Sequence, residues 1–396
     1  MTEYDYTDIV RELAQKENVQ DPKLDFLYAS QKGDGFLGIV RAVTLTGSNK
    51  SLDLVMKVAH RNPETHEKVP LRLAYLTEIH FYEVIVPALK KLQEEYNIQP
   101  TFDNIPKYYG SISKPLNELV VLENLRMDKY DMWDRKKLMN QEHLECALKT
   151  FAKFHALSLV LKETKPKEYK RITANLTDIY EKFMQKMNMY PQLSAQIKSL
   201  LDIFDPITEK TYHEKLARFA DNLQAEMEST FYYHDYDVII QGDSWCTNAM
   251  YQYLDDNRTK PNRMKLIDFQ CVKTASPVMD LVNFFYTITG KEDLDNLDHY
   301  MHLYYNTLKS ETSKFNFNIE NTFSFERFQK HWKSVGKFGF IVAFMARKAM
   351  QTESEGTPDV DSDDFLQGFD LAPEKALFYR AQMKDLAKHV IDRNFI

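Results

Sequence analysis

The chain has 396 residues, 43% hydrophobic and 28% charged, with 51 basic against 58 acidic side chains and a net charge of −7. That is enough apolar surface for a large core, which excludes wholesale disorder. No basic run marks a nucleic-acid or anionic-membrane surface, and the longest apolar stretch, residues 338–346, falls short of the roughly 20 residues that span a bilayer. Three scattered cysteines, Cys146, Cys246 and Cys271, exclude a disulfide framework or a zinc site. With a polar, acid-bearing start unlike a signal peptide, they imply a reducing, cytoplasmic setting.

In chain order, residues 7–16 carry Ile9, Val10, Leu13 and Ala14 at helical spacing. Residues 36–43 and 52–58 are short, β-branched and bounded by turn residues, so they read as strands joined at Thr46-Gly47-Ser48-Asn49. Residues 70–92 predict one long helix, and 105–113 with 118–123 a strand pair. Beyond Glu123 the pattern turns helical: 141–163, several amphipathic helices over 165–229, then 277–288, 293–308, 325–350 and 373–393. Short strands interrupt at 237–240 and 263–268, with residues 250–253 between them, and an acidic stretch over 353–364 reads as a solvated loop. A strand-rich first part and a helical second part predict an α+β fold of two lobes, residues 1–123 and 124–396.

Only 11 glycines occur in the chain, so Gly33-Asp34-Gly35-Phe36-Leu37-Gly38 calls for a reason. A dinucleotide fold needs a helix after such a G-x-G-x-x-G. Here a strand follows, as in a loop that covers nucleotide phosphates between two strands, although an ordinary hairpin turn competes with that reading. Lys57 lies in the next strand, and Glu78 on the following helix is the carboxylate that would hold it toward phosphates. Glu83 is the rival partner, but five residues along the helix it faces another direction. The strongest constellation is Gln241-Gly242-Asp243 after an apolar strand, Asn248 beyond Asp243 with four residues between them, and Asp268 at the end of a second strand. Phosphoryl transfer needs such a set: one carboxylate to accept a hydroxyl proton, and an amide with a second carboxylate to hold Mg²⁺ between phosphates.

These stretches, with Thr77-Glu78-Ile79-His80-Phe81-Tyr82, Val120-Val121-Leu122-Glu123-Asn124-Leu125, Phe151-Ala152-Lys153-Phe154-His155-Ala156 and Ser276-Pro277-Val278-Met279-Asp280-Leu281, resemble the insect ecdysteroid-kinase-like family. That family lies in the aminoglycoside-phosphotransferase and choline-kinase branch of the protein-kinase-like fold. The resemblance runs over about residues 25–393. It implies a bilobal ATP- and Mg²⁺-dependent kinase that phosphorylates a hydroxyl of a small acceptor, an ecdysteroid-like steroid. Asp243 would be the catalytic base and Asn248 and Asp268 the metal ligands. Gly33, Gly35, Gly38, Lys57 and Glu78 would serve the phosphates, with Glu123 and Leu125 in the hinge beside the adenine. It also implies that Asp280 anchors the catalytic loop. His155, on an apolar helix face, reads as a satisfied core histidine. Tyr and Met residues over 180–190 either line an apolar pocket or pack in the core. One departure stands out, because the family has His where this chain has Gln241. An amide also donates and accepts, so retained activity is expected. A non-catalytic relative, or a kinase for a xenobiotic, choline or an amino sugar, are the competing functions. An acid-lined acceptor pocket would favour a cation and an apolar one a steroid.

Overall fold

The computed structural model describes residues 6–29, 37–254, 257–353, 356–362 and 365–396. Its first lobe is a five-stranded antiparallel sheet of β1 (Lys23–Ala29), β2 (Gly38–Thr46), β3 (Ser51–Ala59), β4 (Tyr108–Ile112) and β5 (Leu119–Glu123), in the order β1-β2-β3-β5-β4. β2 and β3 pair along their full length, and Lys57 on β3 lies between Val40 of β2 and Val120 of β5. The period of two along a strand divides β3 between two environments. Leu54, Met56 and Val58 face the helix Thr7–Glu17 and pack on its Ile9 and Leu13. Val55 and Lys57 therefore face the opposite side, toward the second lobe.

The helix predicted over 70–92 is broken. It runs as Leu71–His80, one wide π turn at Phe81–Ile85, and Val86–Glu95, after a separate short helix Pro63–Lys68. Pro87 is the physical reason, since it has no N–H to give and its ring crowds the carbonyl of Glu83, and a widened turn relieves both.

The second lobe is mainly helical. A three-stranded sheet of order β6-β8-β9 comprises β6 (Tyr130–Met132), β8 (Ala249–Gln252) and β9 (Arg263–Leu266), while β7 (Val238–Ile240) pairs with β10 (Lys273–Ala275). The helix Gln141–Thr164 packs against Leu297–Ser313, and the helix Val278–Ile288 against the long helix Phe325–Gln351. Every residue of Val278–Ile288 is buried. A polar side chain on that helix therefore needs an internal partner. β1, β6 and β10 were not anticipated. The strand expected over 263–268 stops at Leu266, which leaves Asp268 beyond the ladder.

The acidic stretch also differs from expectation. Glu353 pairs with Lys136 at 2.6 Å and with Lys375, and Asp361 accepts from Thr65 Oγ1 at 2.6 Å. Val360, Phe365, Leu366 and Phe369 are buried. Apolar residues interleaved with the acids draw this segment onto the protein, where it bridges from the C-terminal half to the first lobe. Among the described residues no helix is long and apolar enough to cross a membrane. The architecture is a bilobal α+β arrangement, a sheet-based first lobe followed by a mainly helical second lobe.

Candidate functional site

The cleft between the lobes is organised around one ammonium. Lys57 Nζ donates to Glu78 Oε2 at 2.8 Å and to Asp268 Oδ1 at 2.6 Å, with Gln270 Oε1 at 3.3 Å. Glu78 is buried, and its second oxygen accepts the Phe269 N–H at 3.2 Å. Burial alone would lower the Lys57 pKa, but the Asp268 and Glu78 carboxylates reverse this and hold it above its ordinary value. The lysine is charged at any physiological pH. Glu83, the rival partner, instead accepts from the Tyr108 hydroxyl at 2.6 Å. Asp268 has φ +61°, a left-handed conformation that Asp tolerates better than most residues, and this turn takes its carboxylate off the strand line toward Lys57. Phe269 behind it stacks on Phe81 at 3.7 Å, which joins the π turn to the Asp268 segment.

The loop that carries Asp243 leaves β7 and is clamped from below. Asp280, almost fully buried, accepts the N–H of Gln241 at 2.8 Å and of Gly242 at 2.9 Å, while its own carbonyl accepts from Ser244 Oγ at 2.7 Å. His155 Nε2 lies 3.2 Å from Asp280, and its Nδ1 lies 2.9 Å from the Tyr304 hydroxyl. A carboxylate can only accept, so Nε2–H donates and Nδ1 accepts from Tyr304. His155 is thus a satisfied core residue that steadies the anchor. Gly242 sits at φ +82°, and a Cβ there would come within 2.1 Å of the Cys271 carbonyl, so no other residue fits. Gln241 uses both ends of its buried amide. Nε2 donates to the carbonyls of Ile267 at 3.1 Å and Asp268 at 2.7 Å, and Oε1 accepts the Asp243 N–H at 2.8 Å. One side chain thereby ties the Asp243 loop to the Asp268 turn. Asn248 Nδ2 donates to Asp243 Oδ2 at 3.0 Å and to the Asp243 backbone carbonyl at 2.8 Å, which leaves the side-chain oxygen Oδ1 of Asn248 to serve as an acceptor or cation ligand. Burial, then the neighbouring Asp268 charge, push the Asp243 carboxyl up to about 7.

At the lobe junction, Glu123 ends β5. Burial pushes its carboxyl up, but Lys265 at 2.8 Å and the Lys107 N–H at 3.0 Å hold it below its ordinary value, so these groups occupy the side chain. Leu125 is buried in a small cluster with Tyr130 and Met250, flanked by Ile267 beside Asp268. Gly33 and Gly35 lie outside the described residues. Gly38 opens β2 opposite Ala59, where a Cβ would meet the Val58 carbonyl and the Tyr75 hydroxyl at 2.3 Å. Close backbone packing alone requires glycine there.

Asp243 also borders a cavity of about 120 Å³ whose walls are overwhelmingly apolar. Tyr180, Phe183 and Met189 come from the 165–229 region, Val342 and Met345 from the helix Phe325–Gln351, and Phe365 and Phe369 from the fastened acidic segment. A larger groove of about 740 Å³, lined by Gln93, Lys149, Lys153 and Arg263 among others, contains none of the residues of the Lys57 cluster or the Asp243 loop. The smaller cavity is the one that meets the chemistry.

The ecdysteroid kinase-like family matches residues 32–317, most of the chain and all of this constellation. The chain belongs to the ecdysteroid kinase-like family. It is therefore a member of a family of kinase-like small-molecule phosphotransferases. None of the curated proteins matches the chain. Similar solved structures include an ethanolamine kinase of Plasmodium vivax, at 13% identity with 94% of this chain and 83% of that one covered and a TM-score of 0.44. Another is an aminoglycoside 2'-phosphotransferase in complex with GDP, at 12% identity, 99% of both chains and 0.41. A third is a spectinomycin phosphotransferase with ADP and spectinomycin, at 12%, 92% and 94%, and 0.37.

Sequence reasoning missed three contributors in this ecdysteroid kinase-like chain. The stack of Phe269 on Phe81 and the pocket wall from Phe365 and Phe369 join residues far apart in the chain, and no local period marks them. Gly242 did carry a signal, since a scarce residue just before a candidate base marks a backbone that needs a positive φ.

Proposed function

We propose that the protein transfers the γ-phosphoryl group of ATP to a hydroxyl of a small apolar acceptor of ecdysteroid-like steroid type. The observation that carries this reading is the Lys57 clamp: one buried-side ammonium held by Glu78 and Asp268, facing the Asp243 loop across the cleft. Lys57 binds phosphate oxygens, with Glu78 fixing its direction. Asp243 accepts the proton of the attacking hydroxyl, and a carboxyl raised toward neutrality is a stronger base than an ordinary aspartate. Asn248 and Asp268 offer an amide oxygen and a carboxylate, the hard oxygen donors that suit Mg²⁺ alongside substrate phosphates. Bound there, the ion would neutralise charge on the transferring group. The chain's own contribution is to pre-position these groups, through Asp280 and Gln241, so that little reorganisation is needed at the moment of reaction.

Residues 1–123 would form the nucleotide-covering lobe, with Gly33, Gly35 and Gly38 over the phosphates and Glu123 to Leu125 beside the adenine. Residues 124–396 would supply the base, the metal ligands and the acceptor pocket. The apolar cavity at Asp243 favours a steroid over a cationic acceptor such as choline or an amino sugar. At about 120 Å³ it is smaller than the roughly 300–1,000 Å³ of drug-sized sites, so it would enclose the end of the acceptor that bears the reacting hydroxyl. The test is incubation with MgATP and a metabolite extract rich in hydroxylated lipids, followed by a search for phosphorylated products. A new phosphomonoester formed by the wild type and absent with Asp243→Asn supports the reading. No product, with no MgATP-induced rise in Tm, would overturn it.

A further inference from the structure

The helix Val278–Ile288 is apolar but for Asp280, Asn283 and Thr287. Asp280 anchors the loop, and the Thr287 hydroxyl donates to the carbonyls of Asn283 and Phe284. Asn283 differs from both. It is 1% exposed, its Oδ1 has no hydrogen-bond partner in the protein, and it lines the cavity that Asp243 borders. A buried carbonyl left unpaired costs stability, and native proteins keep few such groups. Leucine would fill the same space in this apolar layer at no such cost.

We propose that Asn283 is a specificity-determining residue, whose amide oxygen accepts a hydrogen bond from a second hydroxyl of the acceptor while the first meets Asp243. The inference deepens the phosphotransfer reading and rests on it in taking this cavity as the acceptor site. It narrows the acceptor to a neutral, apolar-framed molecule with at least two hydroxyls. Neutrality follows from the walls, which among the described residues offer Asp243 as their one carboxylate and so no second counter-ion for an ammonium. A hydroxyl is the donor that fits, because it brings a proton to Oδ1 without a charge that would have to be desolvated. An acceptor lacking that group would leave the oxygen unpaired in the complex, and sites built to bind a hydroxyl discriminate strongly on that ground.

The test uses the full-length protein and fragments small enough for the cavity: cyclohexanol and the three positional cyclohexanediols, titrated by ligand-observed NMR. At least one diol should bind the wild type roughly two- to tenfold tighter than cyclohexanol, the span of one net hydrogen bond. Asn283→Leu should abolish that preference while binding cyclohexanol at least as well, and Asn283→Ala serves the same purpose should the leucine variant fold poorly. Equal binding of diols and cyclohexanol by the wild type, or a preference that survives in the variants, overturns the proposal. The MgATP-induced rise in Tm does not depend on this amide. A lost nucleotide response beside an intact diol preference therefore condemns the phosphotransfer reading, and the reverse pattern condemns only the role of Asn283.

Discussion

Gln241 ties the Asp243 loop to the Asp268 turn, and the three hydrogen bonds of its side chain allow the consequence of replacing it to be worked out. Gln241→Leu keeps the volume and removes the amide. The Asp243 N–H and the Ile267 and Asp268 carbonyls then lose their partner in a site where Gln241 itself is 0% exposed. An orphaned buried polar group costs about 1–3 kcal/mol, so three of them cost at least about 3 kcal/mol. That is a large share of the stability of a typical protein, about 5–15 kcal/mol. Neutral imidazole has one donor and one acceptor. Gln241→His can therefore serve the Asp243 N–H and one of the two carbonyls, leaving a single orphan and a loss of about 1 kcal/mol. Turnover should change by less than about tenfold, or 1.4 kcal/mol in the barrier. Urea denaturation gives the stabilities and a coupled ADP assay the rates. Equal losses for the leucine and histidine variants, or a neutral leucine variant, would refute the reasoning. A wild type inert toward every acceptor beside an active Gln241→His would make the position an inactivating switch.

Asp243→Asn should lower turnover by roughly 10²–10⁴-fold while the MgATP-induced rise in Tm persists, whereas Asp268→Asn should weaken that rise itself; equal loss of binding in both would show the roles to be misassigned. Lys57→Met leaves buried Glu78 beside Asp268 with no cation, and stranding a buried charge costs about 3–5 kcal/mol. Proton uptake by the stranded carboxyl then becomes favourable in the folded state, so the variant's deficit relative to wild type should shrink as pH falls from 8 to 5, and a pH-independent deficit would contradict this. Burial holds His143 and His389 at about 4, against 6.5 when exposed. At these two imidazoles the unfolded chain binds more protons than the folded one between those values, so their contribution to stability should fall as pH drops through about 6.5 and the loss should be complete below about 4, while the raised Asp243 carboxyl contributes in the opposite sense. A change in urea midpoint between pH 7 and pH 5 that is the same in wild type and in a His143→Gln, His389→Gln double variant would count against it.

What the sequence made legible was local. Lys57 on its strand and Glu78 on the following helix were legible from short-range pattern, and Asp243, Asn248 and Asp268 from spacing around two apolar strands, whereas the cleft-facing side of Lys57 needed the packing of β3 on the first helix. The helix Gln141–Thr164 has a long period and an Asn140 cap accepting the His143 N–H, which is why its ends were read within a residue. β6 and β10 span three residues each, too few to display a period of two. The π turn at Phe81–Ile85 comes from a proline that the helical pattern absorbs without comment. Asn283 reads as one more polar residue in an apolar helix until the cavity beside it is known. The acidic stretch looked solvated because composition weighs its acids and overlooks what Val360, Phe365 and Phe369 pack against.

The match to the family ends at residue 317, yet Val342, Met345, Ala346, Ala349, Phe365 and Phe369 in the cavity wall all come later in the chain. On the proposed reading, the groups that handle phosphate and this part of the acceptor wall thus occupy different stretches of sequence. Selection can revise those wall residues without replacing Asp280, Gln241 or the Lys57 clamp, provided the packing of the helix Phe325–Gln351 on Val278–Ile288 is kept. Relatives alike over the matched region, Asn283 included, can then differ in the rest of the wall, and exchanging the segment from the helix Phe325–Gln351 onward between two of them should shift which apolar frame is accepted while leaving the hydroxyl preference set by Asn283 unchanged.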